Sequence, residues 1–432
     1  MDDVIVIGGG LAGLTAGAYL AGAGLATRVL ERAGSLGGRA DTHVRDGFHF
    51  NLGPHALYRA GAAHAILTEL GVPLSGASPA TEGLALLGGE LHALPTSPRG
   101  LLGTSALGAR GKLEVARFVA VVGSRAAGPE RWARASVAAW LDEHVHDPRA
   151  RLFVEALIRL STYTNAPELV SAGAALAQVR RALRGGVIYL DGGWRGLVEG
   201  LADLAGRAGA VLETQAAVRA VEVRGAEFRI TLDSGRELDA RAVVVAGSPE
   251  LAARLLGAGR SPALDAAAAN AVPVLAACLD VALTSLPCPE RGFALGLDQP
   301  LYYSVHSKSA ALAPHGGAII HVAKYLASPA TAAAADEARE LEAFLDLLQP
   351  GWREHLAQRR FLRRMVVQHD LVRADRDGPP RPTATAAGVP GYFVAGDWVG
   401  PGAFLADAAV ASGRAAARAA LAHLDPRLAS AA

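Results

Sequence analysis

An α/β chain, α+β when taken whole, is what the 432-residue sequence predicts, with one domain assembled from separated stretches and another from the inserts between them. Three observations carry that expectation. A glycine turn sits between a β-branched run and a helical pattern at the amino terminus. Two further strand-and-helix blocks of the same type follow downstream, and two inserts of different character separate the three. The length suggests two or three domains on a prior of ~150 residues each. Hydrophobic residues make up 51% and charged residues 19%, which suits a well-buried globular protein and excludes disorder. Lys+Arg 42 against Asp+Glu 41 leaves a formal charge of +1, so no basic field for nucleic acid exists. Cys278 and Cys288 lack the partner spacing of a disulfide framework or a zinc site, so a reduced, cytoplasmic, metal-free protein is expected.

Val4 to Ile7 reads as a strand, Leu11 to Leu20 as a helix and Thr27 to Leu30 as a second strand. The stretch from Val4 to Thr27 carries no charge and could be mistaken for a membrane span, but its seven glycines and the acidic Asp2 and Asp3 before it favour strand, turn and helix. The second block opens at Gly192-Gly193-Trp194, with Leu197, Leu201 and Leu204 on one helix face. Strand signals follow at Ala210–Leu212, at the hairpin Val218–Val223 and Phe228–Leu232, and at Ala242–Ala246. The third places a strand at Tyr392–Ala395, a loop at Gly396–Gly402 and an alanine-rich helix from Phe404 to Leu421. Of the inserts, Leu94 to Arg184 is mostly helical, whereas Val272 to Leu326 alternates like strands. The resulting division runs 1–93, 94–189, 190–265, 266–365 and 366–432, the first, third and fifth segments forming one domain and the second and fourth the other.

The most informative local pattern is Gly8-x-Gly10-x-x-Gly13 between strand and helix. In that setting Gly8 permits the tight turn, Gly10 lets the backbone approach a pyrophosphate, and Gly13 lets helix and strand pack closely. The pyrophosphate would rest on free N–H groups at the helix's positive end. Glu31 ends the second strand, from which a carboxylate accepts hydrogen bonds from ribose hydroxyls and repels a 2′-phosphate, favouring the adenosine diphosphate of FAD or NAD over NADP.

Gly37-Gly38-Arg39-Ala40 follows. With Asp46-Gly47-Phe48, Asn51-Leu52-Gly53-Pro54-His55, Leu94-Pro95, Ser136 to Leu141, Gly192-Gly193-Trp194, Gly396-Asp397, Pro401-Gly402 and Ser412-Gly413-Arg414, it resembles the flavin amine oxidase superfamily, particularly its protoporphyrinogen oxidase and phytoene desaturase branch. The resemblance runs nearly the whole length. It implies a discontinuous Rossmann-like FAD-binding domain with a mixed sheet-plus-helices substrate domain. It further implies that Gly8, Gly10, Gly13 and Glu31 hold the adenosine half, that Gly38 and Arg39 lie along the pyrophosphate and flavin, and that Val218 meets the adenine. Asp397 would face the ribityl or pyrophosphate region, and Arg32, Gly53, Gly396, Ala403 and Phe404 would complete the surroundings. A helix starting near Gly402 would aim its positive end at the flavin's pyrimidine edge.

Two departures separate the chain from amine oxidases: Val272 to Leu283 contains no lysine where they carry one, and Leu405 stands where they carry a tyrosine. The expectation is therefore an FAD-dependent oxidoreductase that desaturates an apolar or cyclic small molecule. A flavin isomerase or mutase, an amine oxidase and a non-enzymatic lipid-binding escort remain as alternatives. Pocket candidates are His55, Tyr58, Tyr163, Tyr302, Tyr303, His306 and Lys308, with His55, Tyr58 and Tyr303 taken as the acting set. Tyr302 and Tyr303 adjoin in a strand, so only one can face the cavity. His306 and Lys308 suit a solvated edge equally well. Arg110, Lys112 and Arg117 flank the apolar stripe Val115 to Val122, which suits internal packing or peripheral contact with lipid.

Overall fold

The computed structural model describes residues 1–80, 82–124, 128–327, 334–375, 381–425 and 427. Two seven-stranded sheets organise it. The strand Asp2–Ile7 lies at the centre of the first, pairing in parallel with Thr27–Leu30 on one side and Glu237–Ala246 on the other. Val211–Glu213 extends the sheet beyond Thr27–Leu30. The long strand Glu237–Ala246 serves two neighbours along one edge. Its first half pairs antiparallel with Glu227–Leu232, which continues into Val218–Arg224, and its second half pairs in parallel with Tyr392–Ala395.

Parallel strands buried on both faces must be apolar at successive positions, and this one is: Val4 and Val6 join one core cluster, Ile5 and Ile7 another. Helices Leu11–Gly22, Arg195–Arg207 and Leu405–Leu424 cover the first of those faces. Their backbones come close because of glycine. A Cβ at Gly13 would lie 1.9 Å from the Gly8 carbonyl oxygen, and one at Gly413 would lie 2.3 Å from that of Ala12.

The second sheet runs in the order Leu356–Gln368, Val274–Leu283, Ala318–Tyr325, Leu301–Val305, Phe293–Gly296, Leu84–Leu87, Glu90–Ala93. Helix Ala334–Leu348 packs on one face, meeting Leu279, Val281, Tyr303 and Val322 through Leu341, Phe344 and Leu345. The opposite face carries Cys278, Tyr302, Ala323 and Tyr325 and packs with the helices between Pro98 and Gly185.

Three expected segment boundaries do not follow these sheets. The hairpin Leu84–Ala93 belongs to the second sheet, Val187–Leu190 pairs with Leu57–Tyr58 and Gly76–Ala77, and Leu356–Gln368 continues past residue 365. That last strand had no sequence signal of its own. It lies at a sheet edge where Arg359, Arg360, Arg363 and Arg364 interrupt the apolar pattern, as charged residues commonly do on exposed edges. Among the described residues no helix is long and apolar enough to cross a membrane.

The close approach of the first and last helices generates a test. Gly413→Ala forces a Cβ into the Ala12 carbonyl and is expected to destabilise by about 1–3 kcal/mol, read as a lowered midpoint in thermal unfolding. Gly22→Ala, where an added Cβ meets nothing within 4 Å, is the matched control and leaves the midpoint at or slightly above the parent value.

Candidate active site

A single cavity of about 1510 Å³ runs between the two sheets. At one end lies the glycine turn. Gly8 has φ +111°, and a Cβ there would sit 2.4 Å from the Ala246 carbonyl oxygen, so this turn accepts only glycine. A Cβ on Gly10 would meet nothing of the protein nearer than the Gly37 oxygen at 3.7 Å. It would instead project where Gly10, Leu11 and Ala12 line the cavity. Gly10 also caps helix Leu11–Gly22 without any side-chain hydrogen bond, so the helix presents its backbone and its positive end directly to the space.

Glu31 lines the same end. Its two carboxylate oxygens accept from Gly9 N and Ala33 N, each at 2.8 Å, which fixes the orientation of the group toward the turn. Arg32, Gly38, Val218 and Gly396 line the cavity with it. Gly13 and Gly53 do not: Gly13 lies behind the turn, and Gly53, with φ +80°, is pressed against Met365, which lines the wall in its place.

Arg39 and Asp397 meet across the cavity. Arg39 Nη1 donates to Asp397 Oδ2 at 2.6 Å and to the Val367 carbonyl at 2.9 Å, and His369 Nδ1 lies 2.9 Å from Asp397 Oδ1. Burial alone would push the Asp397 carboxyl up, but Arg39 and His369 beside it hold it well below the usual carboxylate range. Arg381, itself buried, donates to the Asp397 and Ala403 carbonyls at 2.7 Å and ties this loop to the strand end. Neither His369 nor Arg381 was singled out from the sequence, since both lie outside any recognised motif.

The helix begins at Leu405 with Phe404 as its cap, beside the start read at Phe404 and three residues beyond the one near Gly402 that the resemblance implies. Gly402 (φ +65°) and Ala403 stay in the loop, and Phe404 turns into the core beside Phe153, so none of the three lines the cavity. Leu405, Ala406 and Ala409 do. Leu405 itself has φ +56°, a conformation that branched side chains rarely adopt, and its N–H donates to Gln368 Oε1 at 3.1 Å.

The other end of the cavity is apolar and rich in tyrosine, with Phe153, Leu157, Tyr58, Tyr163, Tyr189 and Tyr302 in its walls. Tyr58 donates to the Ser161 carbonyl at 3.0 Å, and burial raises its hydroxyl pKa, so it rests protonated. Tyr163, at the left-handed end of helix Pro148–Thr162, donates to the Pro54 carbonyl at 2.9 Å.

His55 lines the cavity but is not a free base. Its Nδ1 lies 2.9 Å from the Gly53 carbonyl and its Nε2 3.0 Å from that of Arg39, and it packs edge-on against Trp194 at 4.7 Å. Burial pushes its pKa below the ordinary imidazole value, and a neutral ring, with a single N–H, donates to one of these two carbonyls at a time. Tyr303 is the clearest correction. It faces away from the cavity, donating to the Arg291 carbonyl and accepting from Gln349 Nε2, both at 2.9 Å. Alternation along Leu301–Val305 gives the cavity to Tyr302 instead. His306 is buried and touches Tyr302, while Lys308 is exposed and bonds the Pro289 carbonyl, so these two do not share a solvated edge.

Comparison with known proteins agrees with this geometry. Residues 11–421 match the family described as flavin containing amine oxidoreductase. A bovine (Bos taurus) protoporphyrinogen oxidase is 42% identical over 113 residues, 23% of this chain and 24% of that protein. A carotenoid 3,4-desaturase of Haloarcula japonica is 51% identical over 53 residues, 12% of this chain and 11% of that protein. The matched stretch thus spans about a quarter or less of these relatives. Among solved structures, an oxidoreductase from Methanosarcina mazei superimposes with a TM-score of 0.72 at 19% identity, over 95% of this chain and 98% of that one. Cyclohexylamine oxidase from Brevibacterium oxydans does so with a TM-score of 0.67 at 20% identity, over 99% of each.

Asp397→Asn tests the clamp. A carboxyl whose folded pKa is depressed contributes stability that is present above its unfolded value of ~3.9 and lost as pH falls through the folded value. The variant is expected to be less stable than the parent by about 1–3 kcal/mol at pH 7, with the gap narrowing as pH drops below about 4. Urea unfolding of both proteins across that range checks it.

Proposed function

The chain belongs to the family of flavin containing amine oxidoreductases, which work through FAD, and from that premise we propose that it dehydrogenates an apolar or cyclic small molecule by hydride transfer to the flavin. The observation that carries the reading is the continuity of one cavity from the glycine turn to the tyrosine-lined chamber. At about 1510 Å³ it exceeds the roughly 300–1,000 Å³ of a single-ligand pocket, leaving room for a substrate beside the cofactor. When bound, FAD supplies the two-electron acceptor.

The residues present suit that group. Gly10 leaves open the space that a side chain would fill, the uncapped helix offers N–H donors to a diphosphate, and Glu31 is oriented to accept from a ribose. Val218, Ala217 and Ala216 border the far end of that half, where an adenine would lie. Arg39, held by Asp397, keeps positive charge beside the junction of the two halves. His55 and Gly38 shape the wall there.

In the other half, Phe153, Leu157, Leu160 and Leu405 exclude water and hold an apolar molecule by burial. No lysine stands in Val274–Leu283, and Leu405 offers no aromatic wall. The carboxylates bordering the cavity lie at the adenosine end, as Glu31 does, or are paired, as Asp397 is. Among the described residues an amine would find no free counter-ion in the chamber. This favours the dehydrogenation of hydrocarbon-like or macrocyclic compounds, in line with the names of the protoporphyrinogen oxidase and carotenoid desaturase relatives.

Anaerobic mixing of the holoprotein with protoporphyrinogen, a carotenoid, putrescine and cyclohexylamine tests it. The expected result is bleaching of the flavin by one of the first two, with a product two hydrogens poorer, and none by the amines. Bleaching by an amine alone, or an isomeric product formed only after prior reduction of the flavin, contradicts the reading. The cofactor half is tested separately. Glu31→Ala is expected to weaken FAD retention roughly 10- to 150-fold, matching the ~1.5 to 3 kcal/mol of a charge-assisted hydrogen bond. Gly10→Val abolishes retention by collision, measured by flavin fluorescence during dialysis.

A further inference from the structure

Behind the tyrosine wall of the cavity lies a row of buried polar side chains to which the proposed function assigns no role. Neighbouring strands of the second sheet supply it in register, with Arg360 opposite Asp280, Asp280 opposite His321 and His321 opposite Ser304. His306 follows at the end of the last strand. Asp280 and His321 are fully buried and His306 nearly so. Asp280 Oδ1 accepts from His321 Nδ1 at 2.6 Å, and Oδ2 from Arg360 Nε at 3.0 Å. Burial alone would raise the Asp280 carboxyl, but His321 and Arg360 hold it below the usual range, so it stays charged. Cys278, Asp280 and His321 also bring possible metal-ligand atoms within 4.8 Å of one another. Arg360 already neutralises that carboxylate, and burial keeps the Cys278 thiol protonated.

At the cavity end, Tyr302 Oη lies 3.0 Å from His306 Nε2. Tyr189, also in the cavity wall, stacks on the His306 ring at 3.8 Å. Burial holds His306 well below the ordinary imidazole value, so its ring is neutral with one N–H. A relay through these rings assigns the Tyr302 hydroxyl as donor to Nε2, which places that proton on Nδ1. His321 presents Nδ1 to Asp280, and the relay assigns it one proton, on that atom, with Nε2 as an acceptor. His306 Nδ1 and His321 Nε2 are two buried atoms without a hydrogen-bond partner among the described residues, and their rings lie 4.5 Å apart. One orphan is a donor and the other an acceptor. The relay requires a small ring shift that brings these two atoms within hydrogen-bond reach.

We propose that Tyr302, His306 and His321 form a proton relay leading from the cavity into the sheet, with Tyr302 as the acceptor at the cavity wall and His321, backed by Asp280, as the group that holds the proton. It rests on the dehydrogenation reading. Removing two hydrogens from a substrate sends a hydride to the flavin and leaves one proton to be taken up. Tyr302 Oη receives that proton as it passes its own to His306 Nε2. His306 passes its Nδ1 proton to His321 Nε2, and His321 becomes an imidazolium held against the Asp280 carboxylate. No further oxidant is required, and the charge comes to rest on a histidine whose counter-ion is already in place. Tyr302 is the catalytic residue of the set, and His306, His321 and Asp280 are positioning residues that act through it.

Histidine-selective ¹⁵N NMR of the FAD-loaded protein tests the chain without any substrate. Both rings are expected as neutral tautomers protonated at Nδ1. Tyr302→Phe is expected to shift the Nε2 signals of His306 and, through it, of His321, while FAD retention stays at the parent level. Protonation of His321 at Nε2, or a His321 signal that ignores Tyr302→Phe, overturns the relay, because a merely structural cluster does not transmit the change. For whichever compound bleaches the flavin, Tyr302→Phe is expected to lower the limiting rate ~100-fold with KM little changed and the D₂O effect lost. Tyr303→Phe, on the opposite face, is the control at the parent rate. A Tyr302→Phe rate equal to the parent's also overturns the relay. If no compound bleaches the flavin, the dehydrogenation reading fails by itself and the NMR result decides the chain.

Discussion

The exclusion of a side chain at the turn between the strand Asp2–Ile7 and the helix Leu11–Gly22 is the constraint on which the rest depends. With Gly13 the helix lies against the Gly8 carbonyl, and with Gly8 the backbone bends over Ala246. These two contacts set the helix's positive end at the top of the central strand. The carboxy-terminal helix then packs against the first through Gly413, which brings Leu405 and Ala406 to the same cavity. Any larger residue at these places would push the helices apart and widen the crevice the site occupies.

A second layer of constraint is electrostatic. Arg39 comes from the glycine-rich segment after the second strand, Asp397 from the loop after the last strand, and His369 from the bend that follows the edge strand of the other sheet. Their pairing joins the amino-terminal Arg39 to two residues more than 300 positions further along the chain. A buried carboxylate without these partners would be costly, so the clamp forms only when both sheets are in place. The site is therefore a product of tertiary assembly rather than of any one motif.

The first sheet was largely legible because parallel strands buried on both faces are short runs of largely apolar residues, as at Val4 to Ile7 before Gly8 and at Tyr392–Ala395 between Gly391 and Gly396. The second sheet was legible only in part. Along Leu301–Val305 every residue is buried, so alternation could show that one of Tyr302 and Tyr303 faces the cavity but not which one. Burial of His306 was invisible for the same reason, since its partner Tyr189 comes from a distant strand. The helix start was legible at Phe404, but the left-handed backbone at Leu405 was not, because leucine gives no turn signal. Glu31 and the three glycines were readable since their spacing is itself the chemistry.

The central claim is that the turn holds a diphosphate bearing an adenosine, and titration of the apoprotein with FAD and with FMN, followed by flavin fluorescence, tests it most directly. FMN lacks the adenosine and one phosphate, so it forfeits the ribose contact with Glu31 and part of the helix-end contact. At ~1.5 to 3 kcal/mol for each of these two interactions, FAD is expected to bind on the order of 10²- to 10⁴-fold more tightly. Equal affinity for the two flavins would contradict the account.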